Sequence, residues 1–390
     1  MTRYRGLTWD HPRGYNALAA AAARLDENRE GIAIAWDKQL LEDFESRPIA
    51  DLCARYDVVV LDHPHIGEAV AAGCLVPLED IFDAGEIAAI GRETIGPCLS
   101  SYRYAGKNWA LPLDAATQVM GFARETLGEE PPATWDEVVR LSARRPVALS
   151  VAGPHAILSL FSVATSLGEA PAEADPDILV SETIGVEALD LIATLNDRMP
   201  AAARKLSPIG LLSAMAEGDA IALCPLVYGY VNYASPSKAR TRPLAFRNAP
   251  RATKDGRPGS TLGGTGIGVS RRCEVTPALV DHFRWLMSAE AQTNFIPRHD
   301  GQPSRRSAWH DPEVNAYSGY FYEATAETLE RAYVRPRHAG YIGFQSKASA
   351  LIREGLADGT SHREILRQLQ DRYTASRAAG AEPRNAQHDQ

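Results

Sequence analysis

The residues best placed for chemistry follow a predicted strand in the N-terminal part of the chain. Val58–Leu61 is a continuous apolar, β-branched run, which predicts a buried parallel strand. Asp62, His63 and His65 come directly after it, at the edge where an open α/β sheet binds its ligands. An acid and two imidazoles at that edge suit a polar ligand or general acid–base chemistry. The alternative is that Asp62 only caps the next helix and that the histidines are ordinary loop residues.

Pro64 lies between the two histidines and fits the first turn of the predicted helix. Its missing N–H group has no intrahelical partner to lose at that position. Successive residues around a tight turn diverge, so we expect one imidazole to face the ligand and the other to tend outward. His63 is nearer to the end of the strand, and we expect it to be the one that faces inward, with His65 outside.

Trp9, Asp10 and His11 end the first predicted strand, and their loop opens on the same edge of the sheet as Asp62. Trp9 offers a flat apolar face that suits a sugar ring or another cyclic ligand, with a place in the core as the alternative. These acids and histidines are also candidates for a metal site. Their spacing matches no zinc-finger or HExxH pattern, and we therefore expect neither a metal nor a cofactor.

Strands and helices alternate along the N-terminal part, which predicts a parallel sheet with helices on both faces. The predicted strands are residues 5–9, 32–36 and 58–61, and the predicted helices are 15–25 and 49–55. Asp114 follows the apolar run 109–113 and marks a first crossing into a second α/β unit. In that unit a capping box at Thr134 and Glu137 opens a helix. Further strands are predicted at 146–151 and 221–224, and further helices at 156–167, 186–196, 322–333, 344–356 and 361–377.

Composition narrows the class of protein. A chain of 390 residues is longer than one core usually fills, so two lobes are expected. Its 45% hydrophobic and 23% charged residues are typical of a globular protein, and no run approaches the roughly 20 apolar residues that cross a bilayer. A net charge of −8 argues against nucleic acid as a partner. Five scattered cysteines, an odd number without a CxxC pair, indicate neither a disulfide framework nor a zinc site.

Five passages, in order, resemble extracellular solute-binding proteins of the carbohydrate-transporter type. They are residues 56–79, 106–114, 132–139, 259–269 and 301–307, with the sequences YDVVVLDHPHIGEAVAAGCLVPLE, GKNWALPLD, PATWDEVV, GSTLGGTGIGV and GQPSRRS. The resemblance implies a two-lobed, periplasmic-binding-protein-like (type II) α/β fold with an interlobe cleft and a helical C-terminus. Lobe 1 would then comprise residues 1–113 and 262–310, and lobe 2 residues 114–261 and 311–377, followed by a flexible tail at 378–390.

The resemblance also places the second crossing between the lobes near Leu262. Gly263, Gly264 and Thr265 would then face the cleft, where closely spaced glycines let a ligand approach the backbone. The glycine-rich run is not GxGxxG, so a dinucleotide site is not expected. Tyr228 and Tyr230 follow a predicted strand of the second lobe and suit a cleft wall, with packing of a loop as the alternative.

A loop around Gln302 is the last candidate part of the cleft. In similar proteins the equivalent loop borders the ligand. Arg298 or Arg305 would then pair with an anionic group of the ligand, and Asp114 would lie at the crossing nearby.

Two functions fit these observations. The first is a binding protein that closes on a small polar ligand, a saccharide or a related compound, and delivers it to the membrane subunits of an ABC transporter. The second is a cytoplasmic enzyme or sensor on the same scaffold, which would use the histidines and aspartates of the cleft. The sequence has no G-x-S-x-G, P-loop or HExxH motif, which favours binding.

The expected localisation depends on the N-terminus. Residues 1–9 lead directly into a predicted strand without an apolar signal core, so the sequence as it stands predicts a cytoplasmic protein. If a signal was removed, a periplasmic or extracellular location is expected instead.

Overall fold

The computed structural model describes residues 1–28, 31–128, 130–236 and 242–381. The strands are β1 (Thr2–Trp9), β2 (Ile32–Gln39), β3 (Val58–Leu61), β4 (Leu75–Val76), β5 (Arg103–Tyr104), β6 (Lys107–Asn108), β7 (Leu111–Phe122), β8 (Leu223–Tyr228), β9 (Ala245–Arg247) and β10 (Leu262–Ser270). The helices of the first half are α1 (Pro12–Glu27), α2 (Leu41–Ser46), α3 (Ile49–Cys53), α4 (Ile66–Ala71), α5 (Ala84–Glu93), α6 (Arg124–Leu127), α7 (Trp135–Ser142), α8 (His155–Ser166) and α9 (Glu182–Arg198). Those of the second half are α10 (Pro208–Glu217), α11 (Val231–Ala234), α12 (Pro277–Met287), α13 (Arg306–Trp309), α14 (Pro312–Tyr317), α15 (Phe321–Glu330), α16 (Tyr341–Asp358) and α17 (His362–Ala381).

The main sheet has the strand order β2-β1-β3-β10-β7-β8, with β4 paired to β10 and β9 paired to β7. β1 runs parallel to β2 and β3, as the βα alternation predicts, whereas β10 is antiparallel to both β3 and β7. The sheet is therefore mixed, and its hydrogen bonding runs without a break from one unit to the other.

The two predicted crossings are neighbouring strands, β7 and β10, and not separate linkers. Leu262 pairs with Thr117, and Thr265 pairs with Asp114. The register shifts just after Thr265, at Gly266. Gly264 has a φ of +86°, and a Cβ atom there would lie 2.3 Å from the carbonyl oxygen of Asp114. Close pairing of the two crossing strands thus requires glycine at this position.

Helices cover both faces of the sheet at β3. Val58 and Val60 contribute to the larger hydrophobic core, and Val59 and Leu61 contribute to a smaller one on the opposite face. Successive residues of a strand point to opposite faces, so a strand buried on both sides has to be apolar throughout. This explains the uninterrupted apolar run in the sequence.

One predicted strand is absent from the structure, and another strand is longer than the apolar run at its start. β7 continues to Phe122 and is buried over its whole length, although only the apolar run that ends at Leu113 was recognisable in the sequence. The predicted strand 146–151 is wrong: Val147 forms one isolated bridge with Leu223, and Pro146 has no N–H group to donate to a ladder. The predicted strand 58–61 is present with the same bounds, and the other predicted elements are present with shifted ends. Residues 382–390 of the predicted tail lie outside the described residues.

The predicted capping box at the start of α7 is confirmed. The N–H group of Glu137 donates to Oγ1 of Thr134 at 3.4 Å, and the Glu137 carboxylate accepts from the N–H group of Thr134 at 3.2 Å. Both end amides of the helix are satisfied by this exchange.

Candidate functional site

Asp62 lies at the carboxyl end of β3 and has two roles. Its Oδ1 atom accepts from the N–H group of His63 at 2.8 Å and caps the 3₁₀ turn His63–His65. Its Oδ2 atom accepts from Nη2 of Arg335 at 2.6 Å. Burial opposes ionisation of this carboxyl group, but Arg335 and His63 outweigh burial and lower its pKa. Asp62 therefore acts as a cap, but capping is not its only role, because its second oxygen forms an ion pair with Arg335.

Arg335 connects three parts of the fold, although the sequence analysis did not select it. The side chain is buried and donates to Asp62, to the carbonyl oxygen of Leu262 at 3.1 Å, and to Oε1 of Gln345 at 3.0 Å. These partners lie at the end of β3, at the start of β10 and on α16. An arginine between two helices carries no sequence signal for such a role, since all three contacts are long-range.

His155 and Glu45 meet across the interior. Nε2 of His155, at the start of α8, lies 3.7 Å from Oε1 of Glu45 on α2, and the imidazole is edge-on to the ring of Tyr228. Burial, together with Asp62, raises the pKa of Glu45 to about 8. Burial and Arg335 lower the pKa of His155 to about 3, so the imidazole is neutral at physiological pH. His155 and Glu45 were not predicted, because each lies on a helix and reaches the interior through contacts between residues far apart in sequence.

The two histidines after β3 do not diverge as expected. His63 and His65 are both buried, with 0% and 3% of their surface exposed. The prediction that His65 tends outward is wrong, because α16 packs over this turn and encloses it. Burial lowers the pKa of each imidazole to about 4, so both are neutral.

Trp9 belongs to a second buried cluster. Its ring stacks on His11, with centroids 5.1 Å apart and planes 8° apart, and Tyr230 packs against its edge at 6.0 Å. The guanidinium of Arg13 lies 4.7 Å from the centre of the Tyr230 ring. Nε of Arg13 donates to Oδ2 of Asp114 at 2.8 Å. Asp114 is thus occupied by an internal ion pair, through an arginine that the sequence analysis did not single out.

Several predicted site residues are held by other partners. Asp10 is half-exposed and pairs with Lys38 at 2.7 Å. Arg298 is 64% exposed and lies 3.9 Å from Glu313. The amide of Gln302 is used within the backbone: Nε2 donates to the Ala115 carbonyl at 2.9 Å, and Oε1 accepts from the Val231 N–H group at 2.8 Å. The structure therefore does not bring Asp10 or Arg298 to the interior, because each is paired at the surface.

The strands β8 and β10 bring other predicted residues together. The hydroxyl of Tyr228 is 3.5 Å from the carbonyl oxygen of Leu262. A Cβ atom on Gly263 would lie 2.5 Å from the Tyr228 ring, so this glycine makes room for the tyrosine. Thr265 is buried opposite Asp114, and Arg305 pairs with Glu93 away from this interior.

Buried polar atoms without a partner among the described residues accumulate in the interior. Buried groups of this kind are almost always hydrogen-bonded, so such a cluster has hydrogen-bonding capacity that the described residues do not fill. Around Asp62 they include Nδ1 of His65, Nδ1 of His155, Nε of Arg335 and the hydroxyl of Tyr341. Nε1 of Trp9 and the amide of Gln39 lie at the ends of β1 and β2. We call these residues, with Glu45, Asp62 and Tyr228, the polar interior.

Two further features are absent from the part of the chain that the structure describes. No group of three histidine, cysteine, aspartate or glutamate side chains there is arranged to hold a metal ion. None of the helices there has the length and apolar character needed to span a bilayer.

Known proteins share this architecture and part of this sequence. The fold matches an ABC transporter solute-binding protein from Agrobacterium radiobacter K84 in complex with ribitol, with a TM-score of 0.78, 20% identity, and 96% and 98% of the two chains covered. It matches maltose-bound MalE3 of T. maritima with a TM-score of 0.79, 15% identity, and 96% and 100% covered. It matches an Agrobacterium vitis S4 solute-binding protein with bound D-mannitol with a TM-score of 0.75, 14% identity, and 98% and 100% covered.

These structures confirm the two-lobed, periplasmic-binding-protein-like α/β fold. The sequence itself matches the family model of bacterial extracellular solute-binding proteins over residues 46–321, which is more than half of the chain. The matched part includes β3, both crossing strands, and Asp62, His155 and Tyr228 of the polar interior. The chain therefore belongs to the bacterial extracellular solute-binding protein family.

Proposed function

We propose that the two lobes close on a small, neutral saccharide or polyol, which binds in the polar interior. The observation that carries this proposal is the set of buried, unpartnered polar atoms on His65, His155, Arg335 and Tyr341. Hydroxyl groups both donate and accept hydrogen bonds, so a polyhydroxylated ligand is able to satisfy such a mixed set. The ligands of the similar structures, ribitol, maltose and D-mannitol, belong to this class.

The charges of the interior favour a neutral ligand. The carboxylate of Asp62 is neutralised by Arg335, and that of Asp114 by Arg13. Glu45 has a pKa of about 8 and is mostly protonated at pH 7, and the buried histidines are neutral. A fully charged ligand would lose its hydration on entering the polar interior and would meet no unpaired side chain of opposite charge among the described residues.

The lobe boundaries of the sequence analysis belong to the same proposal. Lobe 1 at residues 1–113 and 262–310 would contribute Glu45 and Asp62, and lobe 2 at 114–261 and 311–377 would contribute His155, Tyr228 and Arg335. With these boundaries, the contacts of Arg335 with Asp62 and of His155 with Glu45 join the two lobes in this structure, as expected for a closed arrangement. Family membership supports a role outside the cytoplasm, with delivery of the ligand to the membrane subunits of an ABC transporter.

The experiment is a search for the ligand in two arms. Mass spectrometry of the purified protein identifies any small molecule that copurifies. Thermal unfolding is then measured with ribitol, D-mannitol, tagatose and maltose, and with glucuronate as a charged counterpart. We expect a neutral compound to raise the melting temperature by mass action. Stabilisation by glucuronate alone would contradict a neutral ligand.

The same samples separate binding from catalysis. We expect the bound compound to be recovered unchanged after prolonged incubation, as followed by NMR. Steady formation of a product would instead support the enzyme alternative, in which removal of a general acid or base such as His155 lowers turnover by roughly 10²–10⁴-fold.

A further inference from the structure

A cavity lies away from most of the polar interior. It has a volume of about 690 Å³ and is lined by the loop at 97–104, the loop at 170–176, the segment 332–338 and the C-terminal part of α17. This volume is in the range of sites that hold small organic molecules. Arg335 is the one residue that the cavity shares with the polar interior as defined above, and its guanidinium is committed to Asp62.

Arginine side chains dominate the charge of this cavity, which we call the arginine cavity. Arg257, Arg335, Arg337 and Arg377 line it, together with Glu173, whose side chain is solvent-exposed. Arg335 and Arg377 are neutralised by carboxylates; Arg377 pairs with Asp177 at 3.0 Å.

The charges of Arg257 and Arg337 are not neutralised by any ion pair among the described residues. Arg337 donates to two carbonyl oxygens, at 3.1 Å and 3.0 Å, in the turn at Ser100 and Ser101. Arg257 donates to the carbonyl oxygen of Arg331 at 3.2 Å, and its Nε atom is buried without a partner. Carbonyl oxygens orient a guanidinium but do not cancel its charge.

Two pKa shifts agree with a positive environment that is partly shielded from water. Burial lowers the pKa of Arg337, with no carboxylate among the groups that oppose this effect. Burial and the neighbouring charge of Arg377 lower the pKa of His338, which also lines the cavity, to about 4. An anion in the cavity would relieve both sources of unfavourable charge.

We propose that the arginine cavity binds a small organic anion, whose phosphate or carboxylate group is held by Arg257 and Arg337. Guanidinium groups bind both kinds of oxyanion through paired, charge-assisted hydrogen bonds. Tyr104 and Tyr373 line the same cavity and offer ring surface to the organic part of the ligand. Arg257 and Arg337 are not part of the proposed saccharide site, so the proposal does not depend on that site, although the cavity shares Arg335 with it.

The test is calorimetric titration with pyrophosphate and, separately, with citrate, at constant ionic strength. We expect one anion per chain with a dissociation constant of about 1 mM or lower. Arg257→Gln and Arg337→Gln should each weaken binding by roughly tenfold or more, because each removes a charge-assisted contact. A stronger response to pyrophosphate identifies a phosphate-bearing ligand, and a stronger response to citrate a carboxylate-bearing one.

Arg198→Gln is the matched control, because Arg198 also donates to a carbonyl oxygen, that of Val139 at 3.0 Å, and does not line the cavity. It should leave anion affinity unchanged. Circular dichroism checks the fold of each variant. If Arg337→Gln fails to fold, the anion affinity of Arg257→Gln decides the test. Absence of saturable heat with both anions, or unchanged affinity in the folded cavity variants, would overturn the proposal.

Discussion

Glu45 and the buried histidines respond to pH in opposite directions. Folded Glu45 keeps its proton up to about pH 8, whereas the ordinary pKa of glutamate is 4.5, so its ionisation opposes folding as the pH rises between these values. His63, His65 and His155 have pKa values of about 4, 4 and 3, against an ordinary 6.5. Their protonation therefore opposes folding as the pH falls below 6.5. Between pH 6.5 and 8 the histidines no longer oppose this trend, and the ionisation of Glu45 lowers the free energy of unfolding as the pH rises.

Glu45→Gln should make stability less dependent on pH in that window. We expect the wild-type protein to lose about 1–2 kcal/mol of unfolding free energy relative to the variant between pH 6.5 and 8. Urea unfolding at several pH values measures the free energy of unfolding of each protein. In the difference between the two proteins, the contributions of the titrating groups that they share cancel. Parallel pH profiles for the two proteins would show that Glu45 ionises normally in the folded chain.

Arg335 is expected to stabilise the fold through its buried partner. Arg335→Met leaves the Asp62 carboxylate without its counter-ion, and breaking a buried pair costs roughly 3–5 kcal/mol. Asp62→Asn in the same chain should recover part of this loss, because it removes the unpaired charge. Chemical unfolding of both variants measures the change.

The matched control for this prediction is Arg363→Met, which removes an arginine from a surface pair with Glu182. Exposed pairs contribute little to stability, so its unfolding midpoint should stay close to that of the wild type. Equal losses of unfolding free energy in Arg335→Met and Arg363→Met would mean that the buried pair with Asp62 stabilises the fold no more than an exposed pair does.

Residues of the polar interior that directly follow a strand could be predicted from the sequence, whereas those brought in by packing could not. Asp62 was predictable because β3 is a continuous apolar run and α/β sheets bind ligands at that edge. Glu45, His155 and Arg335 lie on helices or between them, and they reach the interior through contacts between residues far apart in sequence. No local pattern marks such residues. The ion pair of Arg13 with Asp114 was not predicted for the same reason.

At the scale of elements, the pairing of β7 with β10 depends on Gly264. Gly264→Ala should lower the unfolding free energy by about 1–3 kcal/mol, since its φ of +86° is unfavourable for alanine and the added Cβ would meet the Asp114 carbonyl. Gly343→Ala is the control: Gly343 lies on α16 with open space around it, and alanine should stabilise the helix by about 0.5–1 kcal/mol. Thermal and urea unfolding compare the two variants. Loss of stability in neither variant would argue against tight pairing of the crossing strands.

The length of β7 could not be read from hydrophobicity alone. Its second half contains Thr117 and Gln118, which are buried and hydrogen-bonded to groups far away in the sequence. Thr117 contacts Ser260 and donates to the Thr261 carbonyl at 3.1 Å, and Gln118 accepts from Ser162. Polar residues inside a strand are tolerated when distant partners bond them, and distant partners have no local signature.

At the scale of the whole molecule, the ordered motifs predicted the two-lobed fold more reliably than any single motif did. The βα alternation predicted the parallel β1, β2 and β3, and the resemblance over five passages implied two lobes with two crossings. The antiparallel insertion of β10 between β3 and β7 was not predictable from alternation, because it depends on a strand that enters the sheet some 200 residues later than β3 in the chain.

The central claim is that a neutral polyhydroxylated ligand binds in the polar interior. Calorimetric titration of the compound identified by mass spectrometry or by thermal shift tests this claim most directly, with wild-type protein, His155→Ala and the control His362→Ala, a histidine that pairs with Asp190 at the surface. The account predicts one site per chain, with affinity reduced roughly tenfold or more in His155→Ala and unchanged in His362→Ala. Equal affinity in all three proteins, with each variant shown to be folded, would contradict it.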